Sequence, residues 1–445
     1  MKKRRVRRGV TAGTIVTLAL VAVLAAMSCF VFVRLTGPNA AIEVDPHLFS
    51  DTLGQLLKGD AQSADGGAPA ATLAPTAVAR RTDADEMLVI ANTQATEAPT
   101  LYMKSALSLT AAGQVMLGDE LRACGRQENG LYDFTDIFAP VSGALSGANL
   151  SIVTLRSTLG DGGYDDYCAP YTLATAFKSA GFNLVNLGTD RILDHGVAGA
   201  GTTRTVLQQR SLSSAGAYTS QQEANARGAV DINGVKVGIV SYTTSLSAAS
   251  QKATSEEERA YGVRLYSEET AQKDISALRD AGADVVIVLI HWGKRGDTEP
   301  SKTTQEQAAA LVRAGADVIL GTGPTNVHRM EKRQVEDGRT AFIAYSLGNF
   351  LTDDSRETND ITGVVLHLEM EWDAQARSLS FDGSWYMPTW IMRWRENGSA
   401  RYRILPAGSS TMPENMTDSF YVNMKKSYQA LVDKIGTDAA APRAE

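Results

Sequence analysis

Two joints of the same kind, Ala281-Gly282-Ala283-Asp284 and Ala314-Gly315-Ala316-Asp317, set the strongest limit on how this chain can fold. Each follows a segment with helical spacing of apolar residues, EETAQKDISALRDAG and TTQEQAAALVRAG, and each precedes an apolar run, DVVIVLI and DVILG. Glycine ends a helix well because it enters the left-handed conformation without a Cβ penalty. A strand that is apolar on both faces has to be covered on both, as in a parallel sheet with helices packed against it. Helix, glycine and buried strand, twice in succession, therefore predict an α/β unit.

The segments on either side extend this pattern. ALSLTAAGQVMLG and ANLSIVTLR read as earlier strands, and CAPYTLATAFKSAGFNLVNLG reads as helix, glycine turn and strand. In DINGVKVGIVSY, Asn233-Gly234 lies between two apolar runs, which predicts a hairpin. After DVILG the pattern turns to strands: TAFIAYSLGN, ITGVVLHLEMEW and RSLSFDGSWYMP. An α/β half followed by a mainly antiparallel half predicts two sheets packed together with helices outside.

The N-terminus has a different character. MKKRRVRR carries six Lys or Arg, and the chain then runs apolar without a charge until Arg34. About 20 such residues span a bilayer as a helix. The basic flank is expected to stay in the cytoplasm, leaving the chain beyond Arg34 outside. The reading is thus a cytoplasmic basic segment over 1–9, a single transmembrane anchor over 10–33 and an extracytoplasmic remainder. A cleaved signal peptide shares the charged start and apolar middle and is the alternative. Residues 34–103, rich in Ala, Thr, Asp, Gly and Pro, read as a flexible stalk. Residues 104–407 form the main domain. Residues 408–445 read as a polar tail with one helix, in SFYVNMKKSYQALVDKI, and a disordered ending, GTDAAAPRAE.

Composition narrows the chemistry. A net charge of −7, with no basic stretch beyond the N-terminus, gives no reason to expect nucleic acid as a partner. G-x-S-x-G, P-loop and HExxH signatures are absent from the sequence. Cys124 and Cys168 fall in the external part, where a disulfide could persist, and the sequence leaves their pairing open.

The order of motifs GQVMLG, ANLSIVTL, AGFNLVNLGTDRILDHG, GVKVGIVSY, HWG, AGADVILGTGP and YSLGNF resembles CapA-type proteins, the bacterial capsule and poly-γ-glutamate synthesis family. The resemblance covers about residues 105 to 390. It implies a calcineurin-like metallophosphoesterase type of fold, an α/β β-sandwich flanked by helices with metal held on loops at strand ends. It also implies a role in making, exporting or anchoring an anionic surface polymer. The implied partners are the cell membrane, that polymer and other capsule-synthesis membrane proteins.

The family's metal-ligand positions are where this sequence departs. Gln114 stands where the family's GDVML motif has Asp, and Arg156 ends the segment that corresponds to NLE. Thr189-Asp190-Arg191 replaces NNH, with Asp194 and Gly196 of the next motif kept, and Gly321-Thr322-Gly323-Pro324-Thr325 replaces GHHPH. His291 of HWG remains in place. Two-metal hydrolysis needs carboxylate and imidazole ligands around closely spaced cations. Gln114 supplies no charge, and Arg156 and Arg191 cannot ligate a metal.

A working binuclear site and a bound cofactor are therefore not expected; a divalent metal (Mn, Fe or Zn) is implied by the resemblance alone. A rearranged metal site would draw on Asp190, Asp194, His195 and His291. Alternatively, Arg156 and Arg191, with Gln114 and Asn349 beside them, bind phosphate or an acidic polymer. The plainer expectation is that each Arg pairs with a nearby Asp such as Asp190 or Asp161. His291 reads either as a catalytic acid or ligand with an oriented partner, or as a remnant bonded to a backbone carbonyl. Asn349 of YSLGNF is expected to hydrogen-bond across a turn at Gly348, His328 to lie on a surface strand, and the three tryptophans of DGSWYMPTWIMRW to pack against a sheet. The expected protein is a binding or scaffolding subunit, with a rearranged hydrolase or transferase as the alternative.

Overall fold

The computed structural model describes residues 104–160, 167–355 and 357–445. The expected anchor and stalk lie outside the described residues. Among the described residues no helix is long and apolar enough to cross a membrane.

The chain builds two sheets. The first uses β1 (Lys104–Val115), β2 (Leu150–Leu155), β5 (Leu184–Asn186) and β6 (Ser213–Ala215), paired in parallel and in that order. Between them, β3 (Thr158–Gly160) and β4 (Cys168–Pro170) form a separate two-stranded sheet. The second sheet has a parallel centre of β8 (Val235–Thr243), β9 (Val285–His291), β10 (Val318–Thr322) and β12 (Thr340–Ala344). Antiparallel β7 (Ala229–Ile232) and β11 (Met330–Gln334) edge it. The chain then returns to the first sheet. β13 (Asn349–Leu351) adds in parallel to β1. β14 (Thr362–Asp373), β15 (Ser378–Ser380), β16 (Trp385–Glu396), β17 (Ser399–Pro406) and β18 (Ala441–Pro442) complete that sheet.

Alternation along the strands shows how the layers stack. Val285, Ile287 and Leu289 of β9 share a buried cluster with Leu107 and Leu109 of β1 and with Leu366 and Leu368 of β14, so the two sheets face each other. Val286, Val288 and Ile290 point the other way, onto Ile275 and Leu278 of α1 (Glu268–Asp280) and Leu311 of α2 (Lys302–Ala314). A third cluster covers the outer face of the first sheet with Leu173 and Phe177. The result is a mixed α/β sandwich with helices on both outer faces. Gly315 at the end of α2 has φ +112°, and Gly282 just beyond α1 has φ +89°, as the two joints require. Asn233 and Gly234, at φ +55° and +82°, form the predicted hairpin turn.

Two expectations need correction. The ending of the chain is ordered: Ala441 donates to Ser384 O at 3.0 Å, Arg443 donates to Tyr386 O at 2.8 Å, and Ala439 and Ala440 are buried. Ala439 and Ala440 are buried and Ala441 and Pro442 pair with Trp385 and Tyr386 of β16, a contact that composition alone hides. The expected helix is present as α3 (Asp418–Ile435), with Met424, Leu431 and Ile435 buried. His328 is buried rather than on the surface, because Asp297 O accepts from its Nε2 at 2.8 Å. Cys124 and Cys168 are both buried and are not bonded to one another.

Candidate functional site

Parallel strands deliver their C-terminal ends to one edge of a sheet, and the loops after them collect side chains from distant parts of the sequence. Here the ends of β1, β2, β5, β9 and β10 carry Gln114, Arg156, Asp190, His291 and Thr322. Backbone bonds join these ends. Gln114 N donates to Gly348 O at 3.0 Å, Leu347 N donates to Gly321 O at 3.1 Å, and Thr322 lies in register with His291. Gly321 permits the close approach, since a Cβ there would lie 2.2 Å from Tyr345 O and 2.6 Å from Trp292 Nε1.

The centre is an ion pair. Arg156 grips Asp190 with two bonds, Nε to Oδ1 and Nη2 to Oδ2, both 2.8 Å. His291 Nε2 lies 3.2 Å from Asp190 Oδ1. Both members of the pair are largely buried, at 14% side-chain exposure each. Burial opposes ionisation of Asp190, but the Arg156 hydrogen bonds and His291 outweigh it and hold the carboxyl well below the usual carboxylate range. Burial likewise acts against the charge on Arg156, and Asp190 more than compensates. An ionised Asp190 can only accept, so His291 carries its proton on Nε2.

Asp194 lies in turn structure, not on a helix shared with Asp190, and it has its own partners. Arg191 Nη1 donates to it at 2.9 Å, Ser250 Oγ donates at 2.6 Å, and Ser247 Oγ also bonds it. The Arg191 guanidinium stacks on Tyr167, 3.5 Å from the ring centroid. His195 lies aside, its Nδ1 2.8 Å from Thr158 Oγ1. Gln114 Nε2 donates to Asn349 Oδ1 at 2.8 Å, and Asn349 Nδ2 donates to Asp360 O at 2.7 Å. The turn at Gly348, φ +69°, is as expected.

The residues proposed from sequence are thus neighbours, but they do not form a metal donor set. Both Asp190 oxygens accept from the Arg156 guanidinium, and Gln114 points its amide nitrogen at Asn349. No group of three or more His, Cys, Asp or Glu among the described residues is arranged to hold a metal ion. Of the four candidate ligands, Asp190 and His291 face each other while Asp194 and His195 are held by other partners, and together they do not fit a metal. The remnant reading of His291 also needs adjustment: its side chain bonds a carboxylate rather than a backbone carbonyl.

Arg295 was missed by sequence reasoning. It bonds Asp354 and, at 3.1 Å, Asp360, and so ties the HWGKRGD loop to the loop after Asn349. Asp353 in that loop accepts from Gly118 N at 2.7 Å and from Leu121 N at 2.9 Å. The signal was present: Lys294-Arg295 directly after a buried strand, and Asp353-Asp354 soon after YSLGNF. Trp385 and Trp390 are buried in the sheet, as packing residues.

Comparison with known proteins shows what the chain is similar to. The chain is 32% identical over 197 residues to a capsule biosynthesis protein CapA of Bacillus anthracis, covering 43% of this chain and 46% of that protein. It is 26% identical over 273 residues to the PGA biosynthesis protein CapA of Bacillus subtilis, covering 60% of this chain and 69% of that protein. The match thus spans about half the length of the first relative and about two thirds of the second. Among solved structures, a phosphatase from Mycoplasma pneumoniae is 14% identical with a TM-score of 0.39, covering 64% of this chain and 94% of that one. The calcineurin-like phosphoesterase YfkN of Bacillus subtilis is 11% identical with a TM-score of 0.34, covering 74% and 99%. The model of the bacterial capsule synthesis protein family PGA_cap matches residues 108–354. Spanning more than half of the chain and both sheets of the sandwich, that match shows that the protein belongs to the PGA_cap capsule synthesis family.

Proposed function

We propose that the chain is a membrane-anchored, extracytoplasmic binding or scaffolding subunit. It would act in the synthesis, export or anchoring of an anionic surface polymer such as capsular poly-γ-glutamate, on a calcineurin-like metallophosphoesterase type of sandwich. Family membership supports the capsule role, and the names of the two relatives, capsule and PGA biosynthesis proteins, point to the polymer. The observation that carries the non-catalytic reading is the bidentate Arg156–Asp190 pair, which stands on the strand ends where the family resemblance would place metal. The apolar run over 10–33 behind a basic segment supports the anchor, with the cell membrane and other capsule-synthesis membrane proteins as partners.

A second reading, a hydrolase or transferase with a rearranged site, has one observation in its favour: His291 has an oriented carboxylate partner in Asp190. Metal analysis of the purified full chain, with a phosphodiester assay across divalent metals, separates the two. The subunit reading expects neither bound metal nor turnover, and binding of poly-γ-glutamate to the full chain. Stoichiometric Mn, Fe or Zn together with turnover abolished by His291→Gln would establish the second reading instead.

A further inference from the structure

The hydrogen bonds at the strand ends have a direction, and it leaves a particular kind of atom unpaired. A backbone carbonyl only accepts, so Asp360 O fixes Asn349 with Nδ2 toward it and Oδ1 toward Gln114. Asn349 Oδ1 in turn fixes Gln114 with Nε2 as donor, which leaves Gln114 Oε1 as an acceptor. That atom is buried and has no partner among the described residues. His291 Nδ1, on the ring whose Nε2 faces Asp190, is also buried and unpartnered. The hydroxyl of Thr322, in register with His291, is buried and unpartnered as well.

The same logic repeats in the loop after β10. Asn326 Nδ2 donates to Gly296 O and Asp297 O, and His328 Nε2 bonds Asp297 O, leaving Asn326 Oδ1 and His328 Nδ1 as buried acceptors without donors. A buried acceptor left unmet is costly, so several on neighbouring strand ends mark a place shaped for a donor.

The surroundings select its charge. Five carboxylates (Asp190, Asp194, Asp353, Asp354 and Asp360) meet three guanidiniums (Arg156, Arg191 and Arg295) in the ion pairs and caps of this end. A cavity of about 230 Å³ is lined by Met116, Gly118, Tyr167, Asp353 and Asp354. Met116 Sδ lies 3.9 Å from Arg156 Nη1, so the cavity adjoins the central ion pair.

We infer that this end of the sandwich is a binding site for a protonated primary amine, with Gln114 Oε1 and Thr322 Oγ1 accepting its N–H bonds. The inference rests on the polymer-binding reading for its natural ligand, the free amino end of a γ-linked glutamate chain. An amine brings several donors on one centre, whereas a carboxylate or phosphate brings only acceptors to a site already made of them.

The full chain in detergent is titrated calorimetrically with a γ-linked glutamate tripeptide bearing a free amino group and with its N-acetyl form. The free-amine form is expected to bind about tenfold more tightly, the scale of one or two good hydrogen bonds. Gln114→Met and Thr322→Val should each erase that preference; Thr322→Val preserves shape and guards against a folding defect in the other variant. Equal binding of the two forms overturns the amine site and leaves the polymer reading standing. If neither form binds, methylammonium chloride decides. A rise in unfolding temperature that Gln114→Met abolishes upholds the amine site without the polymer reading, and no rise overturns it. Stoichiometric divalent metal that is lost in Gln114→Met also overturns it.

Discussion

Without Arg156, Asp190 would be a buried carboxylate facing His291 alone. Breaking a buried pair by removing one partner costs far more than removing both, because the remaining charge is left desolvated. Arg156→Met is therefore expected to destabilise the protein by about 3–5 kcal/mol in urea unfolding, and the double variant Arg156→Met, Asp190→Leu to recover more than half of that. A double-variant loss equal to the sum of the Arg156→Met and Asp190→Leu losses would show that the pair is not coupled. His328 gives a pH prediction. Burial lowers its pKa below the ordinary histidine value, so the folded state holds it neutral while the unfolded chain takes up a proton as pH falls through that value. Stability contributed by neutral His328 is present above the unfolded pKa and is lost as pH drops below it. The expected signature is a fall in unfolding free energy from pH 7 to 5 that His328→Gln reduces, by at most about 1.4 kcal/mol per pH unit for one proton.

Among the elements, the close approach at the end of β10 leaves no room for a side chain at Gly321. A Cβ on Gly321 would lie 2.2 Å from Tyr345 O and would press on Trp292 Nε1, which donates to that oxygen at 2.8 Å. Gly321→Ala is expected to cost more than about 4 kcal/mol or to prevent folding, read by circular dichroism on heating. Deleting the chain after Gly436 removes β18 with its two backbone hydrogen bonds and uncovers Trp385; a loss of about 2–3 kcal/mol is expected in the same assay. These two elements also mark what could be read in advance. β9 and β10 were legible because a doubly covered strand after a helix-ending glycine has few alternatives. The final strand was not, since Ala441 and Pro442 carry no periodicity and are placed by pairing with distant β16. Within the site, charge predicted a partner for Arg156 such as Asp190 or Asp161; the structure pairs it with Asp190, and Asp161 lies outside the described residues. The Gln114–Asn349–Asp360 relay was not legible, because amides 235 and 11 residues apart announce no preference for one another.

Taken as a whole, the molecule owes the geometry of its strand ends to its own ion pairs, so its folding should be indifferent to metal. Unfolding midpoints with chelator and with added Mn or Zn are expected to agree within about 0.5 kcal/mol; a larger rise with metal would contradict a strand-end cluster closed by its own guanidiniums, since a ligand that binds the folded state stabilises it. The Arg156–Asp190–His291 cluster also has a historical consequence. Its members come from three strand ends, and each satisfies the charge or hydrogen-bonding need of another. Any single exchange toward a metal ligand would pass through an intermediate with a stranded buried charge. The arrangement therefore works as a ratchet: relatives that share Arg156 should keep an acid at position 190, and a return to metal chemistry would require both positions to change together.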